Sequence, residues 1–230
     1  MATVAEIIYD VREMLEQYSD DSDIDNRYIL YLYNIKRAKY LRQDLNNFQK
    51  SRDNSIMQSF CLPMEKVSSD KCNRDLECSY ILRSKEPIPK PIELHDKVAI
   101  TRVKPTNRKS LPFTFTTLER AVYYSNSKFP NSIYSFIDTD GHLYAVSNNE
   151  SHVLIDCIDV TGIFEDPISL KDYKNCCDCK NSNESTCFDE QTSEYPLQPH
   201  YIDLIKGEIA NDLLNKLQTP QDTTNNAREN

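Results

Sequence analysis

Four of the eight cysteines lie close together near the C-terminus, and thiolates in such a cluster can bind a metal ion. Cys176 and Cys179 have the C-x-x-C spacing that lets two thiolates reach one Zn²⁺, and Cys187 is a candidate for a third ligand. A second C-x-x-C pair is absent from the sequence. Free thiols on a surface loop and a redox pair are therefore alternatives. We expect no cofactor and no metal, with zinc at these three cysteines as the alternative.

Other patterns that would indicate catalysis are missing. Asp138-Thr139-Asp140-Gly141 resembles the start of a calcium loop, but the sequence on both sides predicts strands, and we expect a turn. The chain has only three glycines, which excludes the glycine-rich loops of nucleotide-binding enzymes. Pairs such as Asp156 and Asp159 have no partner nucleophile. The four histidines have no metal-binding spacing; they are His95, His142, His152 and His200. We therefore predict that the protein is not an enzyme.

The composition is that of a soluble protein without a general affinity for nucleic acid. The 230 residues carry a formal net charge of −9, whereas phosphate binding needs clustered Lys and Arg. No stretch approaches the roughly 18 apolar residues of a membrane span. The N-terminus does not have the pattern of a secretory signal, so we expect the cysteines to be reduced or metal-bound rather than joined in disulfides.

Two helices are predicted at the N-terminus. The first covers Thr3 to Ser19, where Thr3 and Glu6 form a T-x-x-E capping box. The second covers Asp25 to Phe48, with Asp25 or Asp23 as its N-cap. Because the acidic connection between them is short, we expect the two helices to pack as a hairpin.

The second helix carries the residues that we predict to make subunit contacts. Its buried stripe is expected to contain Tyr28, Leu32, Ile35, Ala38 and Leu45. Its basic cluster is expected to pair with acidic residues of the first helix or of a neighbour, with DNA contact as the alternative; the cluster contains Lys36, Arg37, Lys39 and Arg42. Tyrosines on more than one face suit both a core and an interface. The interface candidates are Tyr31, Tyr33, Lys36, Arg37, Tyr40 and Arg42.

The middle of the chain has the period of strands. Alternating prolines in Lys85–Pro91 predict a stiff extended segment, and Asp140-Gly141 predicts a hairpin turn. A short helix is expected at Thr117–Ser125. The predicted strands are Ser55–Val67, Glu77–Arg83, Lys97–Val103, Ile133–Ile137, His142–Val146 and Val153–Val160.

These elements predict an α+β fold: a helical bundle with an inserted small mixed β-sheet module of roughly four to six strands. The bundle would contain the N-terminal hairpin and the C-terminal helix, because neither can bury its apolar stripe alone. The predicted parts are a helical hairpin at 1–50, a β-rich module at 51–170, a Cys/Asn/Ser-rich loop at 171–198, a bundle helix at 199–218 and a disordered tail at 219–230.

Four segments of the chain resemble a family of phage proteins. They read E-I-I-x-D-V-R-E-M-L-x-x-Y-S-D-D-S from Glu6, R-Y-I-L-Y-L-x-N-I-K-R-A-K-Y-L-R from Arg27, S-K-E-P-I-P-K-P-I-E-L from Ser84 and V-T-G-I-F-E-D-P from Val160. They are similar to the virion neck proteins of crAss-like and related tailed phages of Bacteroidetes hosts. The resemblance covers roughly residues 3 to 170.

The resemblance implies a non-enzymatic virion structural protein that forms a ring in the head-to-tail connector, below the portal and around the DNA channel. The implied partners are further copies of the chain in a dodecamer, the portal protein, other neck or tail proteins and passing viral DNA, with no membrane. The implied location is the virion neck, after assembly in the host cytoplasm. The alternatives are a small zinc-binding regulatory phage protein or enzyme and an intracellular adaptor.

Overall fold

The computed structural model describes residues 2–16, 24–47, 54–67, 80–95, 97–106, 113–125, 132–149, 152, 154–173 and 194–218. The chain divides into two compact units. The helical unit contains Met1–Tyr40 and Asp189–Asn230, and the barrel unit contains Leu41–Phe188. The predicted cysteine cluster and the predicted C-terminal tail lie outside the described residues. No helix among the described residues is both long enough and apolar enough to cross a membrane.

The barrel unit is a closed sheet of seven strands. Each strand pairs with two neighbours in the order β1-β2-β6-β5-β4-β3-β7, and β7 pairs again with β1. All pairs are antiparallel except β4 with β5. The strands are β1 Gln58–Val67, β2 Tyr80–Ser84, β3 Ile100–Pro105, β4 Phe113–Phe115, β5 Ile133–Ile137, β6 Leu143–Ser147 and β7 Cys157–Gly162.

The predicted fold class, a helical bundle with a small inserted sheet module, is wrong. The sheet closes on itself because β7 pairs with β1 along one edge and with β3 along the other. Closure removes the exposed edges that an open sheet would have. The prediction also lacked the three-residue strand β4, which is needed to join β3 to β5.

The barrel encloses most of the apolar side chains of this unit, because alternate residues of each strand point inward. Helix α3 (Leu118–Ser125) contributes Ala121 to a second apolar cluster, with Phe136 and Tyr144 of β5 and β6. The first cluster contains Phe60, Leu62, Met64, Leu82, Ile88, Val103, Phe113, Ile133, Leu143, Ala145, Ile155, Ile158, Val160 and Phe164.

The predicted hairpin turn between β5 and β6 is confirmed. Gly141 has a φ of +76°, the left-handed conformation that glycine adopts without strain. Its amide donates to the Asp138 carbonyl at 3.0 Å, and its own carbonyl accepts from the Ile88 amide at 2.8 Å. The turn therefore also fixes the proline-containing segment before β3.

Gly162, at the end of β7, stands where β1 and β3 both approach the strand. It pairs with Gln58 on one side and with Ile100 on the other. A Cβ at this position would lie 2.8 Å from the Ala99 carbonyl oxygen. That distance is too short for a carbon–oxygen contact, and a backbone atom cannot move away as the end of a flexible side chain could. The close approach at the barrel closure therefore needs a glycine.

Replacing Gly162 by alanine is expected to lower the free energy of unfolding by about 1–3 kcal/mol, the usual effect of forcing an extra methyl group into a packed site. Gly207 is the matched control, because a Cβ there would meet nothing within 4 Å and the residue lies inside a helix. Gly207→Ala should raise the stability by about 0.5–1 kcal/mol. Urea denaturation of both variants measures the difference, and equal effects would contradict the steric explanation.

The described residues of the helical unit form three helices: α1 (Val4–Glu16), α2 (Asn26–Asn46, of which the residues up to Tyr40 belong here) and α4 (Pro199–Gln218). The capping box of α1 is confirmed: the Glu6 amide donates to Thr3 Oγ1 at 3.2 Å, and the Thr3 amide donates to Glu6 Oε2 at 2.8 Å. Asp25 is the N-cap of α2, since its Oδ1 accepts from the Arg27 amide at 3.0 Å.

The predicted buried stripe of α2 is wrong for two of its five members. Ala38 is buried as predicted, but Tyr28 and Ile35 are exposed, whereas Ile29, Tyr33 and Arg37 are completely buried. The helix is rotated relative to the prediction, so that a tyrosine and an arginine face the interior and an isoleucine faces solvent.

Candidate functional site

Two of the predicted interface residues, Tyr33 and Arg37, lie in the interior of the helical unit with no exposed surface. They meet Tyr195, which precedes α4. The Tyr33 and Tyr195 rings pack edge to face with centroids 5.1 Å apart, and the Arg37 guanidinium lies 5.7 Å from the Tyr195 ring centroid. Burial raises the pKa of Tyr33 well above its ordinary value. An interface role of these two residues stays a prediction, but neither offers surface to another subunit in the single chain.

Tyr195 holds the segment before α4 against α2. Its hydroxyl donates to Asn34 Oδ1 at 2.5 Å, and its amide donates to the Ala2 carbonyl at 3.0 Å. The next residue, Pro196, offers its carbonyl oxygen to Arg37 Nε at 3.0 Å. Residues 195–197 are thus buried although the sequence pattern predicted a surface loop there. An aromatic residue followed by Pro and Leu was the available signal.

Lys36 and Tyr40 of α2 contact acidic residues of α4. Lys36 Nζ lies 3.2 Å from Glu208 Oε2 and 2.7 Å from Asp212 Oδ2, and the Tyr40 hydroxyl donates to Glu208. The hydrogen bond from Tyr40 and then the hydrogen bond from Lys36 lower the pKa of Glu208, while the hydrogen bond to Asp212 raises the pKa of Lys36. The predicted partners were acidic residues of α1 or of a neighbour, and for Lys36 the partners are on α4 instead.

Arg42 belongs to the barrel unit and is fixed there. Its Nε donates to the Glu93 carbonyl at 3.0 Å, and its Nη2 lies 3.4 Å from Glu165 Oε1. The guanidinium is therefore engaged within its own chain. Of the six interface candidates, Tyr31 is the most exposed, and its hydroxyl makes no hydrogen bond with a described residue.

The exposed face of α2 carries an aromatic stripe made of Tyr28, Tyr31 and Ile35. These residues are spaced at i, i+3 and i+7, so they share one side of the helix. Tyr31 is 60% exposed and Ile35 is 47% exposed. The rings of Tyr28 and Tyr31 stack with centroids 6.5 Å apart, and Lys216 Nζ lies 5.6 Å from the Tyr28 centroid. Grouped apolar side chains exposed on one face are typical of a protein–protein contact.

The barrel unit has a cavity of about 680 Å³ that opens beside β3, β4 and α3. We call it the barrel groove. Its floor is apolar, and its cationic side chains are Lys97, Arg102 and Arg120. The apolar residues that line it are Leu94, Val98, Ile100, Val103, Phe113, Phe115, Leu118 and Ile137. This groove was not predicted from the sequence, since its lining comes from segments that only the barrel brings together.

The structure does not test the candidate zinc site, because Cys176, Cys179 and Cys187 lie outside the described residues. Within the described ranges no three metal-binding side chains lie together. Cys61 is buried, and Cys157 is disulfide-bonded. The expectation that the cysteines are reduced or metal-bound is therefore wrong for Cys157.

The carboxylates of the predicted turn serve the turn itself. Asp138 Oδ1 accepts from the Thr139 amide at 2.6 Å, and Asp140 Oδ1 accepts from the His142 amide at 2.9 Å. Asp140 Oδ2 accepts from the Tyr144 hydroxyl at 2.7 Å, and burial together with this bond raises the pKa of Tyr144 to about 12. These contacts explain both acidic residues without a cation.

The comparisons with known proteins identify the family. The model of the phage tail ring protein 2 family matches residues 6–230. Ring protein 2 of Bacteroides phage crAss001 is 27% identical over 231 aligned positions, which cover 99% of this chain and 97% of the relative. The predicted resemblance to crAss-like phage ring proteins is confirmed, and the match extends through the cysteine-rich segment and the C-terminus. The chain belongs to the phage tail ring protein 2 family and is a structural ring protein of a crAss-like phage.

Proposed function

We propose that the protein is a non-enzymatic component of the virion neck, where copies of the chain form a closed ring below the portal. The ring surrounds the DNA channel, and twelve copies would match the symmetry expected of a portal. Its contacts are with further copies, the portal and other neck or tail proteins. Assembly takes place in the host cytoplasm, and no cofactor is required.

The observation that carries this proposal is the aromatic stripe of α2. Tyr31 and Ile35 expose large apolar area in the single chain, although burying it would be favourable. A tyrosine suits such a surface because its ring is apolar and its hydroxyl tolerates water before assembly. The stripe is therefore suited to being covered by a neighbouring protein in the particle.

The net charge of −9 also fits a conduit for DNA. A lining rich in Lys and Arg would hold the phosphate backbone, whereas an acidic ring allows DNA to slide. The basic residues Lys36 and Arg42 do not oppose this, since each is paired with carboxylates of its own unit.

The double substitution Tyr31→Asp with Ile35→Asp is expected to abolish incorporation of the protein into particles, because two carboxylates cannot be buried at an apolar contact. Cryo-EM and mass spectrometry of purified virions measure the ring and its occupancy. Gln43→Asp is the control, since it adds a carboxylate at an exposed position of the same helix. Circular dichroism should show that both variants fold. A wild-type virion without a ring of this chain in the neck would refute the proposal.

A triple substitution of Cys176, Cys179 and Cys187 by serine tests the zinc alternative on the same particles. Normal incorporation, with no stoichiometric zinc in the wild-type protein, is the expected result. Loss of function with intact assembly would instead favour a regulatory or enzymatic role.

A further inference from the structure

We propose that the barrel groove of one copy receives the exposed face of helix α1 from the next copy in the ring. This inference rests on the proposed function, because it names the contact that links neighbouring subunits. A closed cyclic ring of more than two subunits needs a heterologous contact, in which two different surfaces of each copy meet. The groove and the α1 face are two such surfaces, on the barrel unit and on the helical unit respectively.

The cationic side chains of the barrel groove are not paired with carboxylates of the described residues. Lys97, Arg102 and Arg120 are exposed at its rim, and their side chains make no hydrogen bond or ion pair with any described residue. The carboxylate that lines it is Glu93, which lies 3.8 Å from Lys90 Nζ. The rest of the lining is largely apolar. Val103 and Phe113 form part of it, and most of the surface of these two residues is buried in the barrel. The groove therefore fits an acidic segment with an apolar anchor.

The outer face of α1 has this chemistry. Glu6, Tyr9, Glu13 and Glu16 are all exposed, and their spacing places them in one stripe along the helix. We call them the α1 acidic stripe. Tyr9 is 67% exposed, the largest value among the aromatic residues that the structure describes in the helical unit. Glu13 lies one turn from Tyr9 and Glu16 lies a further turn along, while Glu6 also accepts the Thr3 amide. The exposed cation beside this stripe, Arg12, donates to the Ile24 carbonyl at 3.0 Å. The α1 acidic stripe therefore places carboxylates beside one exposed aromatic ring, as the groove places cations beside an apolar lining.

Charge also decides between α1 and the aromatic stripe of α2. The aromatic stripe of α2 is flanked by the exposed cations Arg27 and Lys39, which would face Lys97, Arg102 and Arg120. Like charges brought together at an interface are unfavourable, whereas opposite charges select the correct partner and register. We therefore expect the aromatic stripe of α2 to bind a surface other than the barrel groove.

Charge reversal on each surface separately tests this contact. The groove variant carries Arg102→Glu and Arg120→Glu, and the helix variant carries Glu13→Lys and Glu16→Lys. Each variant alone should self-associate more weakly than the wild type by on the order of tenfold or more, because every contact then joins like charges. Mixing the two variants should restore association in a 1:1 ratio, since acidic groove then meets basic helix and basic groove meets acidic helix. Sedimentation analysis of the full-length chains measures both results.

Two controls separate the contact from general charge effects and from misfolding. Lys85→Glu and Glu86→Lys make the same reversals at exposed positions that do not line the groove, and both should associate like the wild type. Photocrosslinking from p-benzoylphenylalanine at Tyr9 should join two chains, with the crosslinked peptide lying between residues 93 and 120. Circular dichroism checks the fold of every variant.

Several results would overturn the contact. Wild-type association of the groove variant, failure of the mixture to associate, or a Tyr9 crosslink elsewhere would each do so. If the groove variant weakens association but the helix variant does not, the groove has another occupant, such as the chain's own Phe188-Asp189-Glu190. If the wild-type protein retains more DNA than the groove variant, the occupant is DNA. If virions still contain a neck ring of this chain, any of these results overturns only the contact and leaves the proposed function intact. If virions contain no such ring, both the proposed function and the contact are refuted.

Discussion

Replacing Phe60 by alanine is expected to lower the free energy of unfolding of the barrel unit by about 3–5 kcal/mol. Phe60 lies on β1 and is 2% exposed. Its ring packs edge to face on Phe164, with centroids 5.2 Å apart, and on Tyr173, with centroids 5.0 Å apart. Removing the Phe60 ring leaves a cavity beside Phe164 and Tyr173 and also removes the edge-to-face packing of each of them on Phe60. Because β1 pairs with both β2 and β7, the loss acts where the barrel closes.

Urea denaturation with amide hydrogen exchange measures this effect, since exchange reports the stability of each unit separately. Phe60→Leu keeps most of the volume and should cost less than about 1.5 kcal/mol. Lys66→Ala lies on the same strand with its side chain exposed, and it should stay within about 0.5 kcal/mol of the wild type. A Phe60→Ala protein as stable as the Lys66→Ala protein would mean that this ring is not a core residue.

Arg37→Ala is expected to lower the free energy of unfolding of the helical unit by about 3 kcal/mol or more. The substitution removes a large side chain that is completely buried on α2. It also leaves the Pro196 carbonyl without its donor at 3.0 Å and removes the cation from the Tyr195 ring. The segment before α4 would then be attached to α2 by one hydrogen bond fewer, with the bond from the Tyr195 hydroxyl to Asn34 remaining.

Arg27→Ala serves as the matched control, because Arg27 is exposed on the same helix. It should change the stability by no more than about 0.5 kcal/mol. Arg37→Met retains much of the volume without the charge, so its loss should be smaller than that of Arg37→Ala. Hydrogen exchange of α2 and α4 distinguishes the variants. Unchanged exchange in Arg37→Ala would show that the buried guanidinium does not hold these elements together.

Local signals in the sequence were sufficient where neighbouring residues decide the structure. The capping box of Thr3 and Glu6, the N-cap Asp25 and the turn at Gly141 each depend on contacts within a few residues, and all three are confirmed. Strand β5 has the predicted bounds for a similar reason, since it is short and ends directly at its turn. The remaining predicted elements differ from the observed ones by a few residues at their ends.

The phase of α2 could not be read from the sequence. Tyr28 to Tyr33 is a continuous run of large apolar residues, so each face of the helix offers a plausible stripe. The choice depends on Tyr195, which is more than 150 positions away in the sequence and packs on Tyr33 at 5.1 Å. The same distant segment supplies the Pro196 carbonyl that makes burial of Arg37 possible.

The helices, most of the strands and the ring-protein family were predictable from the amino-acid sequence, because these depend on local residue types and on recognisable segments. The tertiary structure alone decided that the sheet is a closed barrel, which face of α2 is exposed and that three cations surround an apolar groove. Each of these depends on pairing between residues far apart in the chain: β7 must reach β1, Tyr195 must reach α2, and Lys97 must lie near Arg120. Periodicity and spacing describe neighbours along the chain and therefore do not specify such pairs.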